Sequence, residues 1–181
     1  MTSPALSVTP SRDSLSAGYS ASYDLGLLII RVAVGLTMAV HGVQKLFGWF
    51  DGGGISGTGK FFEMAGYPSG EAMAVIAGLS ETFGGLGLAL GLLTPLAGAV
   101  LLGTLINILG VKGLEAFTGP KGVEYELLLT AAVVGIILTG PGRYAVDRFL
   151  PYLRTPRPWY APAALLLGVV VGFVVVLFVR D

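Results

Sequence analysis

Cysteine is absent from the 181 residues and histidine occurs once. Without thiols there is no disulfide, no thiol redox couple, and no cysteine-held iron–sulfur cluster or zinc ion. One imidazole cannot provide both axial ligands of a haem, nor most histidine-rich metal sites. Charge is also scarce. Charged residues make up 12% of the chain, against roughly 25% in soluble domains, which need them to keep their surfaces wet. Eleven basic and eleven acidic residues cancel, so there is no cationic excess to hold the phosphates of a nucleic acid. What remains is apolar: 54% of residues are hydrophobic and the mean hydropathy is +0.79. This composition excludes an ordinary soluble domain and implies a membrane protein with little conventional catalytic hardware.

The apolar residues gather in five stretches, at about 25–47, 72–93, 96–111, 125–139 and 161–179. A helix needs roughly 20 apolar residues to cross the hydrocarbon core. The third and fourth stretches are short and must borrow flanking residues or sit in thinned lipid. Runs this continuous lack the alternation of an outer-membrane barrel strand, and lipid offers the backbone no hydrogen-bond partner, so the spans must be helices. The expected fold is all-α: a polytopic four-helix transmembrane bundle over 25–149, a basic cytoplasmic linker over 150–160, and an appended fifth transmembrane helix over 161–181. Residues 1–24, rich in Ser, Thr, Ala and Pro, read as a flexible tail that buries too little to offset its ordering entropy. This tail has neither the basic nor the apolar region of a secretory signal.

The connection after the fourth stretch carries Arg143, Arg148, Arg154 and Arg157 against Asp147 alone. The positive-inside rule therefore places this loop and the N-terminus in the cytoplasm, and the C-terminus outside. Glycine is frequent, with 28 residues, many of them inside the spans. Gly78, Gly84, Gly85, Gly87 and Gly91 line the second helix, and Gly168 and Gly172 form a GxxxG in the fifth. Small residues let helix backbones approach closely in lipid, so tight bundle packing is the expected role.

Ionisable groups inside spans carry the most information, because each costs roughly 2.5–3.5 kcal/mol or more at the bilayer centre unless paired or hydrated. Arg31 in the first span and Glu81 in the second come within reach of each other if those helices are antiparallel neighbours. Two readings follow: a neutralising Arg31–Glu81 pair, or a Glu81 that relays protons or binds a ligand. His41 and Lys45 are four residues apart and share a helix face, with Lys45 able to snorkel to the interface. With Glu124 and Glu126 opening the fourth helix at similar depth, His41, Lys45 and Glu124 form either an interhelical clamp or a site for a polar headgroup such as a quinone carbonyl. Asn107, near the middle of the third helix, reads as interhelical glue. The segment Gly54–Lys60 has the GxxxxGK spacing of a phosphate-binding loop, but Phe61 stands where the magnesium-binding hydroxyl belongs and no strand precedes it. A glycine-rich turn accounts for it better, and no nucleotide is expected.

Four runs in order resemble the DoxX family of small bacterial membrane proteins. They are His41-Gly42-Val43-Gln44-Lys45-Leu46-Phe47-Gly48; Glu81-Thr82-Phe83-Gly84-Gly85 with Leu90-Gly91-Leu92-Leu93-Thr94; Gly122-Val123-Glu124; and Thr139-Gly140-Pro141-Gly142-Arg143-Tyr144 with Asp147. The likeness covers about residues 25–149, and the long N-tail and the fifth helix depart from the family pattern. The resemblance implies a four-helix membrane core associated with electron-transfer or redox-defence systems. Related DoxD proteins are subunits of a thiosulfate:quinone oxidoreductase, and mycobacterial-type DoxX is linked to a membrane complex with superoxide dismutase and a sulfurtransferase. Arg31, His41, Lys45, Glu81, Glu124 and Arg143 match family motif positions as bundle-interior or loop-anchoring polar residues, with Asp147 a second loop anchor.

The leading functional expectation is an accessory membrane subunit of a redox or respiratory complex, with no covalently bound cofactor and no metal site. Its other subunits would be contacted through the fifth helix and the N-terminal tail. The runner-up is a quinone-binding subunit of a membrane oxidoreductase, with His41, Lys45 and Glu81 framing the headgroup. A small-solute or lipid transporter comes third, since no internal repeat relates the helix pairs.

Overall fold

The computed structural model describes residues 12–119, 122–153 and 157–179. Six α-helices occur among them: α1 (Arg12–Phe47), α2 (Gly54–Met64), α3 (Gly70–Leu90), α4 (Thr94–Lys112), α5 (Glu124–Thr139) and α6 (Tyr160–Phe178). A single 3₁₀ turn, Val146–Phe149, lies between the last two. No strand is present among the described residues. Four helical segments are long and apolar enough to cross a membrane: Ala21–Phe47, Gly70–Leu90, Thr94–Lys112 and Tyr160–Phe178. At 16 residues, α5 is about 24 Å long at the usual rise, the shortest of the apolar helices.

Glycine sets the contact between α1 and α3. Gly35 packs on Gly85 and Ala89, and Gly42 on Gly78 and Thr82. A methyl group added to Gly85 would lie 2.5 Å from the Gly35 carbonyl oxygen, a separation no backbone pair tolerates. The two helices are therefore antiparallel and nearly in backbone contact. Gly168 and Gly172 do the same for α6, which lies against Ala99, Leu102 and Ile106 of α4. The GxxxG of the fifth helix thus serves the bundle itself. Between these pairs sits a core of Val34, Met38, Leu88, Leu101, Leu105, Leu129, Val133 and Ile136. The opposite face of α6, including Val170, Phe173, Val174 and Leu177, is exposed and apolar, as a surface facing acyl chains must be.

The turn from α3 to α4 is held from outside itself. Gly91 closes α3 in the left-handed conformation, with the Leu92 N–H on the Gly87 carbonyl at 2.8 Å, a Schellman closure. Leu93 is also left-handed (φ 49°), unfavourable for a branched side chain. Asp147 fixes it there: its carboxylate accepts the Leu93 N–H at 2.6 Å and the Thr94 N–H at 2.9 Å. A residue more than fifty positions away thereby caps α4, which has no cap of its own.

Two expectations about segments need correction. The helix α1 begins at Arg12, inside the region read as a tail, and Asp24 is tied to the far loop by accepting the Arg143 N–H at 2.9 Å. Composition alone underrates Ala21–Tyr23, where the apolar span begins. Residues 1–11 of that tail, and Arg154 of the basic linker, lie outside the described residues. Gly54–Lys60 is not a turn but the first part of α2. Its glycines serve close packing: a methyl group on the buried Gly59 would sit 2.9 Å from the Glu71 backbone nitrogen at the start of α3.

Candidate functional site

The polar residues inside the bundle fall into two groups, one at each end. At the first end Arg31 is 1% exposed. Its Nε donates to the Ala89 carbonyl at 3.3 Å, its Nη2 to the Tyr144 carbonyl at 2.6 Å, and its Nη1 to the Pro141 carbonyl. A planar guanidinium can reach several acceptors at once, and the last carbonyls of α3 carry the negative end of that helix dipole. Gly91 is required beside it, because a Cβ there would lie 2.9 Å from the guanidinium carbon. Asp147, 1% exposed, adds a neighbouring negative charge. Arg143 is exposed and anchors through its backbone, its carbonyl also accepting from Arg148 at 3.4 Å.

The expected Arg31–Glu81 pair does not form. The glycine contacts fix a register in which Arg31 lies level with Ala89, eight residues beyond Glu81 on α3, or about 12 Å away along the axis. Glu81 pairs instead with Lys45, whose Nζ lies 2.6 Å from Oε2. Helical side chains lean toward the N-terminus, which carries Lys45 back down α1, its ammonium also donating to the His41 carbonyl at 3.4 Å. Lys45 is thus turned inward, not snorkelled outward.

This ion pair stands in the wall of a cavity of about 520 Å³, well within the size range of small-molecule sites. All six helices contribute to it. His41 and Lys45 come from α1, Phe61 and Phe62 from α2, Glu81 from α3, Asn107 and Lys112 from α4, Tyr125 and Glu126 from α5, and Val171 and Val175 from α6. Most of the remaining wall is aliphatic. Glu81 is fully buried, and its Oε1 has no partner, although buried carboxylate oxygens are normally satisfied. A second pair, Lys112 to Glu126 at 2.8 Å, repeats the pattern, with Glu126 Oε2 also buried and unpartnered. The two pairs leave the cavity formally neutral. His41 Nε2 lies 3.2 Å from the Tyr125 hydroxyl and Nδ1 lies 3.0 Å from Gln44 Oε1.

Asn107 is the interhelical tie its position suggests. It accepts the Tyr67 O–H at 2.8 Å and donates to the Gly103 and Gly172 carbonyls at 3.2 and 3.3 Å, joining α4 to α6 and to the loop before α3. Glu124 does not join His41 and Lys45: it is exposed and lies outside the cavity wall. Two residues make a rotation of about 200° on a helix, so Glu126 faces the interior in its place. Tyr125, Tyr67, Lys112 and the α2 aromatics were not singled out by sequence. Tyr125 heads an apolar run, Lys112 reads as a loop charge, and Phe61, Phe62 and Tyr67 fall in the connection between the first two stretches; only the packing brings them together.

A membrane bundle whose spans enclose a neutral, polar-tipped cavity defines a multi-pass helical membrane protein with an internal ligand-sized site. The chain belongs to the DoxX family, with the family match spanning residues 26–113, that is, most of α1 through α4. It is 35% identical over 130 residues to "Putative oxidoreductase CatD" of Bacillus subtilis, covering 71% of this chain and 90% of that protein. It is 30% identical over 136 residues to "Uncharacterized membrane protein Rv3486" of Mycobacterium tuberculosis, covering 68% and 80% respectively. No solved structure matches the chain.

Proposed function

We propose that this protein is a membrane subunit of an oxidoreductase assembly, and that its cavity holds the headgroup of a lipid-soluble quinone. The observation that carries this reading is the buried Lys45–Glu81 pair with one carboxylate oxygen unpartnered, set in an otherwise apolar, aromatic-flanked cavity. A formally neutral pocket suits an uncharged ligand, and an apolar wall with a few converging polar groups is the usual form of such a site. The name of the B. subtilis relative, "Putative oxidoreductase CatD", agrees with it.

A bound quinone supplies a two-electron, two-proton acceptor, and the electrons come from a redox centre in a partner subunit. The chain's own residues do the rest. Lys45 has three N–H donors, of which Glu81 and the His41 carbonyl take two; the third is left for a ligand oxygen. Glu81 holds the ammonium in place. Phe61, Phe62 and Tyr67 line one side of the cavity, and Val171 and Val175 of α6 another. The proposed orientation in a bacterial cytoplasmic membrane puts the Arg31 end at the cytoplasm and the cavity toward the outer face, following the arginine-rich loop.

The test is purification from native membranes in mild detergent, with mass spectrometry of proteins and extracted lipids. Quinone should be retained by the wild type, lost in Lys45→Met and reduced in Glu81→Gln, and redox subunits should co-purify. Equal quinone in wild type and Lys45→Met would refute the site. Uptake of a solute into proteoliposomes holding this protein alone would move the assignment to a transporter.

A further inference from the structure

The hydrogen bonds around the lone histidine determine where its proton sits. Gln44 Nε2 donates to the Phe50 carbonyl at 3.0 Å. Reversing that amide would set two oxygens against each other, so Gln44 presents Oε1 to His41. Oε1 is solely an acceptor and lies 3.0 Å from Nδ1; Nδ1 therefore carries the hydrogen. In the neutral ring Nε2 is then the acceptor, and it receives the Tyr125 O–H at 3.2 Å. The two rings are steeply inclined, at 69°, with centroids 6.0 Å apart. With its hydrogen committed to His41, the Tyr125 oxygen has only lone pairs left for the cavity it lines.

The cavity is thus polarised: a donor at Lys45 and an acceptor at Tyr125. We propose that Tyr125 and His41 form a proton relay between the hydroxyl of a bound hydroquinone-type ring and water at the Phe47 end of α1. In the accepting direction the ligand O–H bond breaks and its proton joins the Tyr125 oxygen. The original Tyr125 proton passes to His41 Nε2, giving an imidazolium; the same nitrogen, at its exposed contact with Tyr125, then releases it to water and the ring returns to the Nδ1–H tautomer. One proton moves, the tyrosine is regenerated, and no electron is transferred by these residues. The delivering direction uses the same bonds in reverse. Gln44 is a positioning residue, because it fixes the tautomer on which the relay depends. The charges facing His41 are Lys45 on its own helix, Glu81 on α3, and Glu126 with Lys112 beside Tyr125. They cancel in pairs, so an added proton on His41 is not opposed by a net positive wall.

The relay rests on the quinone reading for its ligand but has a readout of its own. The chain contains one histidine, so ¹⁵N-histidine labelling of the full-length protein in lipid nanodiscs reports His41 alone. The expected spectrum is that of a single Nδ1–H tautomer, and Gln44→Leu should add the Nε2–H form. A short-chain hydroquinone should shift the wild-type Nε2 resonance, and Tyr125→Phe, which keeps the ring but not the hydroxyl, should abolish that shift while melting at the wild-type temperature. An Nε2–H tautomer in the wild type, or an equal shift in Tyr125→Phe, overturns the relay. Quinone retained by the purified protein with Nε2 unmoved overturns the relay alone, whereas no quinone retained overturns the reading beneath it.

Discussion

Removing one partner of the Lys45–Glu81 pair should have different consequences on the two sides. Glu81 is fully buried, whereas the Lys45 side chain is 22% exposed and sits on a long flexible stem one turn from the end of α1. In Lys45→Met the carboxyl group keeps its place with both oxygens unpartnered, since Oε1 already has no hydrogen bond. Breaking a buried pair in this way costs about 3–5 kcal/mol. In Glu81→Leu the freed ammonium can swing toward the aqueous end of the helix, and the new side chain fills apolar surroundings, so the loss should be nearer ~1.5 kcal/mol, the lower end for a surrendered charged hydrogen bond. The double variant should resemble Glu81→Leu, so the coupling should equal the Lys45→Met loss, about 3–5 kcal/mol. Unfolding in a mixed-micelle denaturant titration, followed by tryptophan fluorescence, measures all four corners of the cycle. Equal losses for the two single variants, or a coupling below ~0.5 kcal/mol, would mean that the pair is not desolvated and that the cavity wall is wrongly drawn.

Arg31→Lys keeps the charge but not the fork that reaches three carbonyls; it should lose about 3 kcal/mol, two or more charge-assisted bonds, in the same titration. Gly85→Val forces a side chain into the Gly35 backbone and should cost 1–3 kcal/mol or more, seen as a lowered melting temperature, whereas a valine at Gly135, where a Cβ meets nothing within 4 Å, should be neutral. Because the chain has no cysteine, Ser69→Cys and Arg148→Cys can each be labelled alone in intact cells; Ser69→Cys should react with an impermeant maleimide and Arg148→Cys only after permeabilisation, and the opposite pattern would invert the proposed orientation.

The spans were legible because hydrophobic run length is a direct consequence of bilayer thickness, and the burial of Arg31 and Glu81 followed from their positions inside those runs. Their partners were not legible. Which residue faces Glu81 depends on the sliding register of α1 on α3, and that is set by where Gly35 meets Gly85 and Gly42 meets Gly78. Glycines advertise close approach, but not which glycine meets which. The same ambiguity hid α2, where glycines placed for packing looked like turn formers. Glu124 and Glu126 show the finest limit: both were visible at the mouth of the fourth span, and only the rotation of α5 decides which one turns inward. Tyr125 heads the apolar run of the fourth span, and nothing in that run marks its hydroxyl as the partner of His41.

The clasp on Arg31 has a consequence for biogenesis. Its acceptors at Pro141 and Tyr144 lie 110 and 113 residues downstream. At a translation rate of roughly 5–20 residues per second, the first helix waits on the order of ten seconds for them. Until the ribosome has passed Tyr144, a guanidinium lodged in a membrane span has at most the Ala89 carbonyl to hold it. The nascent first helix must therefore linger beside the insertion machinery or keep its arginine near headgroups, and the last loop to emerge is what commits it to the membrane interior.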